Sequence, residues 1–205
     1  MPSVISVRGP KGSAKSTFAL TLPGKKYIFD LEMGARRAAW RFPSDSYTIW
    51  QPPKPEPTLS ELTFTKGDRV VGRRELFLPV AAEFLRVLPN PEYPVIVFDT
   101  AKEFWMLNHQ STLQDKQNVQ LAEAVLKAPK GVPADTIADK LNWRSQLLPL
   151  EYGLPNSRMN NLFYLAKQYG KYLVLIHHER DVYRPMPDGK GNMVEMPTGE
   201  KELDG

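Results

Sequence analysis

The sequence has no cysteine and only three histidines among its 205 residues. Without cysteine the chain can form no disulfide bond, carry out no thiol catalysis and hold no metal through thiolates. So few histidines make a histidine metal site unexpected as well. Metal centres built from cysteine or histidine are therefore not among the functions that this sequence predicts.

Long apolar runs are also missing from the sequence. No stretch reaches the length that spans a membrane, and the N-terminal residues lack the basic-then-apolar order of a signal peptide. The hydrophobic fraction of 41% and the charged fraction of 24% are typical of a soluble globular protein. We therefore expect a cytoplasmic protein without a membrane partner, folded as a single domain over residues 1–205.

The stretch from Val4 to Thr17, VISVRGPKGSAKST, has the layout of a phosphate-binding loop. A strand predicted from β-branched residues stops at Gly9, and a lysine with two hydroxyl residues opens a helix six positions later. Gly9 and Gly12 allow backbone N–H groups to point at phosphate oxygens. Lys15 would reach the β- and γ-phosphates, and Ser16 would offer its hydroxyl to a magnesium ion. The predicted nucleotide-binding residues of the loop are Gly9, Pro10, Lys11, Gly12, Ser13, Ala14, Lys15, Ser16 and Thr17.

Ala14 departs from the pattern, which has glycine before the lysine. Alanine is acceptable there if its backbone is already helical, because its side chain is penalised only where φ is positive. The loop prediction therefore depends on a helical backbone at Ala14. The alternative is a glycine-containing turn ahead of an ordinary surface helix.

The stretch YPVIVFDT, Tyr93 to Thr100, predicts a strand buried on both faces, because four consecutive apolar residues precede Asp99. A buried strand that ends in aspartate downstream of a phosphate-binding loop is the Walker B arrangement. Its carboxylate would hold magnesium, so Asp99 and Ser16 are the predicted metal ligands. AAA+ ATPases usually place a catalytic glutamate directly after this aspartate, whereas Thr100 stands here.

Glu32 is the candidate for the missing base. Tyr27 to Phe29 predict a short strand, which Asp30, Leu31 and Glu32 close. A carboxylate just past the end of a strand in an α/β sheet lies at the edge where ligands bind. Glu32 would there orient the attacking water. A helix-capping or solvated acid is the alternative.

Two adjacent histidines follow another predicted buried strand, Tyr172 to Ile176. A polar side chain at this place would lie beside the Walker B strand and could report whether a γ-phosphate is present. Successive residues of a strand point to opposite faces, so only one of His177 and His178 can face the nucleotide. A structural histidine is the alternative.

The remaining segments are less distinctive. We predict a Pro-rich irregular connector over 43–68, a helix over 75–88, a helical insertion over about 108–158 with helices at 120–127 and 137–148, a helix over 159–170, and a hairpin over 181–205. The basic and aromatic residues of the insertion, Trp143 among them, could bind single-stranded nucleic acid. A solvated helical insertion with Trp143 in a small core is the alternative.

In order, the motifs GPKGSAKST, DLE, FDT and IHHER resemble those of the RecA-like ATPases. The chain is similar to short phage-encoded AAA/RecA-like proteins associated with single-strand annealing and recombination. The resemblance implies a three-layer α/β P-loop fold with a mostly parallel central sheet, helices on both faces and the sensor strand between the P-loop and Walker B strands. It matches Glu32 to the catalytic glutamate, Asp99 to the Walker B acid, His178 to the γ-phosphate sensor and Arg180 to the basic residue after it.

The function that this resemblance implies is binding and hydrolysis of Mg-ATP coupled to DNA recombination, annealing or remodelling. The implied cofactors are ATP and Mg²⁺, and the implied partners are single-stranded DNA, contacted by the segment 181–196, and further copies of the chain. The catalytic residues would be Glu32, Lys15 and His178, in the cytoplasm of a bacterium or a phage-infected host. A small-molecule phosphotransferase and a non-hydrolysing nucleotide-dependent scaffold are the alternatives.

Overall fold

The computed structural model describes residues 3–53, 65–66, 69–187 and 193–203. The chain divides into two compact units. Unit 1 comprises Met1–Gln51, Asn90–Glu103 and Ala166–Gly205, and unit 2 comprises Pro52–Pro89 and Phe104–Leu165.

Strands and helices alternate along most of the described chain. The strands are β1 (Val4–Gly9), β2 (Lys26–Asp30), β3 (Tyr47–Trp50), β4 (Thr65–Lys66), β5 (Arg69–Val70), β6 (Val95–Asp99), β7 (Tyr172–Pro187) and β8 (Met193–Leu203). The α-helices are α1 (Lys15–Thr21), α2 (Arg36–Ala39), α3 (Arg73–Val87), α4 (Ala101–Lys127), α5 (Ala134–Lys140) and α6 (Gly153–Gln168). Short 3₁₀ turns cover Ser44–Ser46 and Pro149–Tyr152. Of the helices within the described residues, none has both the length and the apolar character to cross a membrane.

The central sheet has the order β1-β7-β6-β2-β3, and every pair of neighbours along this path is parallel. A mostly parallel sheet flanked by helices confirms the predicted α/β fold class and agrees with a three-layer RecA-like arrangement. The strand β7 lies between β1 and β6, which confirms the predicted place of the sensor strand. Because parallel strands all end at one edge of a sheet, Gly9, Asp30, Asp99 and His178 are brought to that edge.

The middle of the sheet is apolar on both faces, as the continuous apolar runs predict. All five residues of β2 and all five of β6 are buried. The rings of Phe29 and Phe98 stack on neighbouring strands with centroids 4.7 Å apart. The helices α1 and α2 add small and apolar side chains to the core that they share with the sheet: Ala19, Leu20, Ala35 and Ala39. This packing fixes the loops that follow the strands.

The hairpin at the end of the chain is confirmed, with one difference. The strands β7 and β8 pair antiparallel from Glu179 with Leu203 to Pro187 with Met193. The sensor strand and the first hairpin strand are a single 16-residue strand rather than two elements. Of the predicted turn, residues 188–191 lie outside the described part of the chain.

The prediction of an irregular connector over residues 43–68 is wrong at β3, which is the edge strand of the sheet. Cross-strand contacts explain why so short a segment is extended. The ring of Trp50 packs edge-on against Phe29 at 5.4 Å between centroids. The hydroxyl groups of Thr48 and Tyr93 lie 3.0 Å apart. Pairing with β2 therefore makes this short run a strand, although prolines follow it closely.

The helices of unit 2 differ from the prediction at their ends. The helix α4 is one 27-residue helix, and α6 begins at Gly153 rather than at Met159. The helix predicted over 137–148 ends at Lys140. There the indole Nε1 of Trp143 donates a hydrogen bond to the carbonyl oxygen of Ala138 at 3.0 Å. Trp143 is buried, which agrees with the alternative of a small core.

Candidate active site

The loop predicted to bind phosphate is closed by its own lysine. The Nζ of Lys15 donates to the carbonyl oxygens of Gly9 and Pro10, both at 2.7 Å. Its distance of 3.4 Å to the hydroxyl of Ser13 is at the long limit for a hydrogen bond. An ammonium group has three protons, so two hold the loop and the third is the one most readily given to a ligand. The spacing of the loop thus places a donor over its centre.

Opposing effects act on the pKa of Lys15, whose side chain is 6% exposed. Burial lowers that pKa, and the carboxylates of Asp99, Glu179 and Glu32 oppose the change by favouring the ammonium form. A negatively charged ligand in the loop would favour the ammonium form further. The loop is therefore electrostatically suited to an anion.

Ala14 does not meet the condition that the sequence analysis set for it. Its backbone has φ 61° and ψ 24°, the left-handed region, so the helix starts only after it. Left-handed backbone costs an alanine about 1 kcal/mol or more because its Cβ crowds the carbonyl that follows. Glycine, the residue that the consensus has here, does not incur this cost. The loop has the expected course, but with local strain at Ala14.

Ser16 and Asp99 meet at the end of β6. The hydroxyl of Ser16 donates to Asp99 Oδ2 at 2.6 Å. Burial is the largest influence on Asp99 and raises its pKa, while the hydrogen bond from Ser16 lowers it. A hydroxyl and a carboxylate are oxygen ligands of the kind that Mg²⁺ takes when substrate phosphates and water complete its shell. Ser16 and Asp99 would therefore supply two ligands, with the others left to phosphate and water. In the described part of the chain, no group of three His, Asp or Glu side chains could hold a metal ion by itself.

Glu32 is held at both of its oxygens. Thr100 Oγ1 donates to Oε1 at 2.8 Å, and His178 Nε2 lies 3.1 Å from Oε2. The backbone N–H of Leu31 also donates to the carbonyl oxygen of Asp99 at 2.8 Å, which joins the end of β2 to the end of β6. The structure therefore brings together two predicted residues, Glu32 and His178, and adds Thr100, which the sequence analysis treated only as a departure from AAA+ ATPases.

Asp30, the last residue of β2, holds the turn that follows Glu32. Its side chain is fully buried, and its Oδ1 accepts hydrogen bonds from the N–H groups of Gly34 and Ala35 at 2.8 and 3.1 Å. Its Oδ2 accepts one from Gln51 Nε2 at 2.9 Å. Three donors satisfy a carboxylate that would otherwise be costly to bury. Asp30 thereby fixes the turn that carries Glu32 and leads into α2.

A cavity of about 410 Å³ lies over the loop. The loop lines it from Lys11 to Thr17, and His178 lines it from the sheet edge, whereas His177 does not. One histidine of the pair thus faces the cavity, as strand geometry predicts. Gly9 and Pro10 do not line the cavity, but their carbonyl oxygens accept hydrogen bonds from Lys15. The side chain of Arg180, a predicted nucleotide ligand, lies outside the described residues.

The sequence analysis missed Arg37 and Arg41, which line the same cavity. They come from α2 and the two residues after it. The basic run ARRAAWR was the available signal, but the sequence alone does not show that α2 packs beside the loop.

No protein-family model matches this chain, and no curated protein matches its sequence. The functional assignment therefore depends on the fold and on the geometry of this site.

Proposed function

We propose that this chain binds Mg-ATP and hydrolyses it to ADP and phosphate. The observation that carries the proposal is the convergence of three pairs at one sheet edge: Lys15 with its loop, Ser16 with Asp99, and Glu32 with His178. Glu32 and His178 are 146 positions apart in the sequence. Only a fold built around this edge brings them into contact.

The residues divide the work of phosphoryl transfer to water. Lys15 and the N–H groups of the loop would hold the β- and γ-phosphate oxygens. Ser16 and Asp99 would hold Mg²⁺, which supplies positive charge against the phosphates. Glu32 orients a water for attack on the γ-phosphorus and accepts its proton as the bond to the ADP oxygen breaks.

The two neighbours of Glu32 give it a fixed direction. Thr100 donates a hydrogen bond to one carboxylate oxygen, and His178 lies against the other. A base held at both oxygens is pre-organised, because less rearrangement is needed when the water arrives. His178, which also lines the cavity, is placed to contact both the base and a bound phosphate.

The proposal is tested by steady-state phosphate release from Mg-ATP by the wild type, Lys15→Ala and Glu32→Gln. Glu103→Gln is the matched control, since Glu103 is the next acid along the chain after Asp99. We expect Glu32→Gln to lower the turnover by about 10²-fold or more, the usual contribution of a positioned base. Lys15→Ala should abolish nucleotide binding, and Glu103→Gln should resemble the wild type.

Two outcomes would contradict the proposal in different ways. Wild-type turnover by Glu32→Gln would mean that the base lies elsewhere. Tight Mg-ATP binding without phosphate release by the wild type would instead identify a nucleotide-dependent scaffold, for which the strained Ala14 is the structural argument.

We further propose that hydrolysis is coupled to single-stranded DNA, in an assembly of several copies of the chain. The support is the resemblance of the four motifs to recombination ATPases, together with a net charge of +4 that permits a polyanionic partner. Phosphate release with and without single-stranded DNA tests the coupling. Turnover that is indifferent to DNA would remove it and leave the ATPase intact.

A further inference from the structure

Four cationic side chains line the cavity over the loop, and two of them come from outside the loop. Lys11 and Lys15 belong to the loop, whereas Arg37 and Arg41 come from α2 and the residues that follow it. Within the described residues, no aspartate or glutamate lines this cavity. A lining with four cations and no acid is suited to a compact anion of high charge.

The two guanidinium groups are uncommitted. Among the residues that the structure describes, neither Arg37 nor Arg41 forms a side-chain hydrogen bond or an ion pair, and both are exposed. Arg41 only lies over the ring of Trp40, 5.1 Å from its centroid. Arg144, in contrast, makes two hydrogen bonds to Glu151, at 2.6 and 3.1 Å. The donors of Arg37 and Arg41 are thus available to a ligand.

The helix that carries these arginines is fixed in place. Asp30 accepts hydrogen bonds from the N–H groups of Gly34 and Ala35 at the entry to α2. Ala35 and Ala39 are buried in the core of unit 1. Because the core holds the backbone of α2 and the residues after it, Arg37 and Arg41 line the cavity without a ligand. A pre-organised cation loses less entropy when the ligand binds.

We propose that Arg37 and Arg41 form a second phosphate clamp, which binds the polyphosphate chain together with Lys15 and makes the site selective for triphosphates over diphosphates. This inference rests on the proposed nucleotide binding and deepens it. A guanidinium binds phosphate oxygens through paired donors, and a triphosphate offers more charge and more oxygens than a diphosphate. The clamp thus favours the substrate over the product of hydrolysis.

The test is calorimetric titration of the full chain with a non-hydrolysable Mg-ATP analogue, Mg-ADP and inorganic tripolyphosphate. The variants are Arg37→Ala and Arg41→Ala. Arg36→Ala is the matched control, because Arg36 is an exposed arginine of the same helix that does not line the cavity. Each clamp variant should weaken the ATP analogue and tripolyphosphate by roughly tenfold, the effect of one charge-assisted contact, and ADP by less. The control should stay within about twofold, as for an exposed charge.

Tripolyphosphate separates phosphate recognition from contact with the base or ribose. If the clamp variants weaken both nucleotides but leave tripolyphosphate unchanged, the arginines contact another part of the nucleotide and the clamp is wrong. Equal affinities in all three alanine variants would also overturn it while leaving the proposed function standing. A wild type that binds no nucleotide would instead refute the proposed function first. Arg37→Lys and Arg41→Lys keep the charge, so partial recovery of affinity excludes a disturbed helix as the cause.

Discussion

Ala14 shows a conflict between local backbone preference and loop geometry. Its left-handed backbone, φ 61°, is one that glycine adopts without a steric cost. The side chain is exposed, so replacing it should remove few packing contacts. A loop that binds phosphate through backbone N–H groups needs this turn, and the alanine is held in it by the residues on either side.

Ala14→Gly should therefore stabilise the protein in the absence of ligand. Relief of the left-handed strain outweighs the greater freedom of glycine in the unfolded chain, for a net gain of about 0.5–1 kcal/mol. In a chain of this size the thermal midpoint should rise by roughly 2–4 °C per kcal/mol. The measurement is thermal unfolding followed by circular dichroism.

The matched control for that measurement is Ala122→Gly, at an exposed position in the middle of α4. Glycine in a right-handed helix costs about 1 kcal/mol relative to alanine, so the control should move the midpoint down. If both variants are destabilised alike, the backbone at Ala14 is not strained and the conflict does not exist.

At the same scale, Thr100 explains how the site can lack a glutamate after Asp99. Its hydroxyl donates a hydrogen bond to Glu32 from a fully buried position. Under the proposed function, the residue at the place of the AAA+ base would therefore orient Glu32, the proposed base, from the neighbouring strand. His178 completes the support from the next strand on the other side of β6. The proposed base would thus come from the end of a different strand at the same edge of the sheet.

At the scale of elements, the sequence was sufficient for the parts of the fold that carry continuous apolar runs. The strand β6 and the first part of β7 are recognisable because each contains a run of four buried apolar residues, 95–98 and 173–176. Their polar ends, Asp99 and His178, could then be placed at one edge before any contact was known. The place of β7 between β1 and β6 followed from the RecA-like resemblance, not from periodicity.

The elements that the sequence did not reveal are those formed by distant contacts. The four residues of β3 are of types enriched in strands, but the run is short and lies beside a cluster of prolines, and pairing with β2 makes it a strand. α6 includes Pro155 in its first turn, where the backbone N–H that proline lacks has no helical partner to lose. Arg37 and Arg41 were missed for a related reason, because the approach of α2 to the loop depends on the buried hydrogen bonds of Asp30.

The 3₁₀ turn before α6 depends on Glu151. Its carboxylate accepts the N–H of Leu148 at 2.9 Å and two hydrogen bonds from Arg144. The backbone hydrogen bond from Leu148 is the main cause that lowers the pKa of Glu151, and Arg144 adds to it. A lowered carboxyl pKa stabilises the folded state above the unfolded value, 4.5, and the stabilisation is lost as the pH falls through the folded value.

Glu151→Gln should thus lower the free energy of unfolding by about 1 kcal/mol at pH 7, as a carboxylate with charge-assisted hydrogen bonds is lost. The difference from the wild type should shrink as the pH is lowered below 4.5. Chemical denaturation at a series of pH values measures it. Glu123→Gln, which alters an exposed acid of α4, is the control. If the difference in the free energy of unfolding between Glu151→Gln and the wild type does not change with pH, the packing of the side chain rather than its charge stabilises the turn.

At the scale of the whole molecule, stability and function make opposite demands on Asp99. The carboxylate is only 6% exposed, and its burial raises its pKa above the usual 3.8. The folded state therefore binds the proton of the Asp99 carboxyl group more tightly than the unfolded state does. The free energy of unfolding falls as the pH rises from 3.8 through the pKa of Asp99 in the folded protein.

Asp99→Asn should accordingly raise the thermal midpoint of the ligand-free protein at pH 7 by roughly 2–4 °C, the effect of about 1 kcal/mol. The gain should vanish below pH 3.8, where the wild type is protonated. With saturating Mg-ATP the ranking should reverse, because binding to the folded state adds stability that the variant largely lacks. Asp45→Asn, an exposed acid, controls for net charge. A lower midpoint for ligand-free Asp99→Asn would mean that the hydrogen bond from Ser16 outweighs the cost of burial, and the acid would then be structural rather than reserved for a metal.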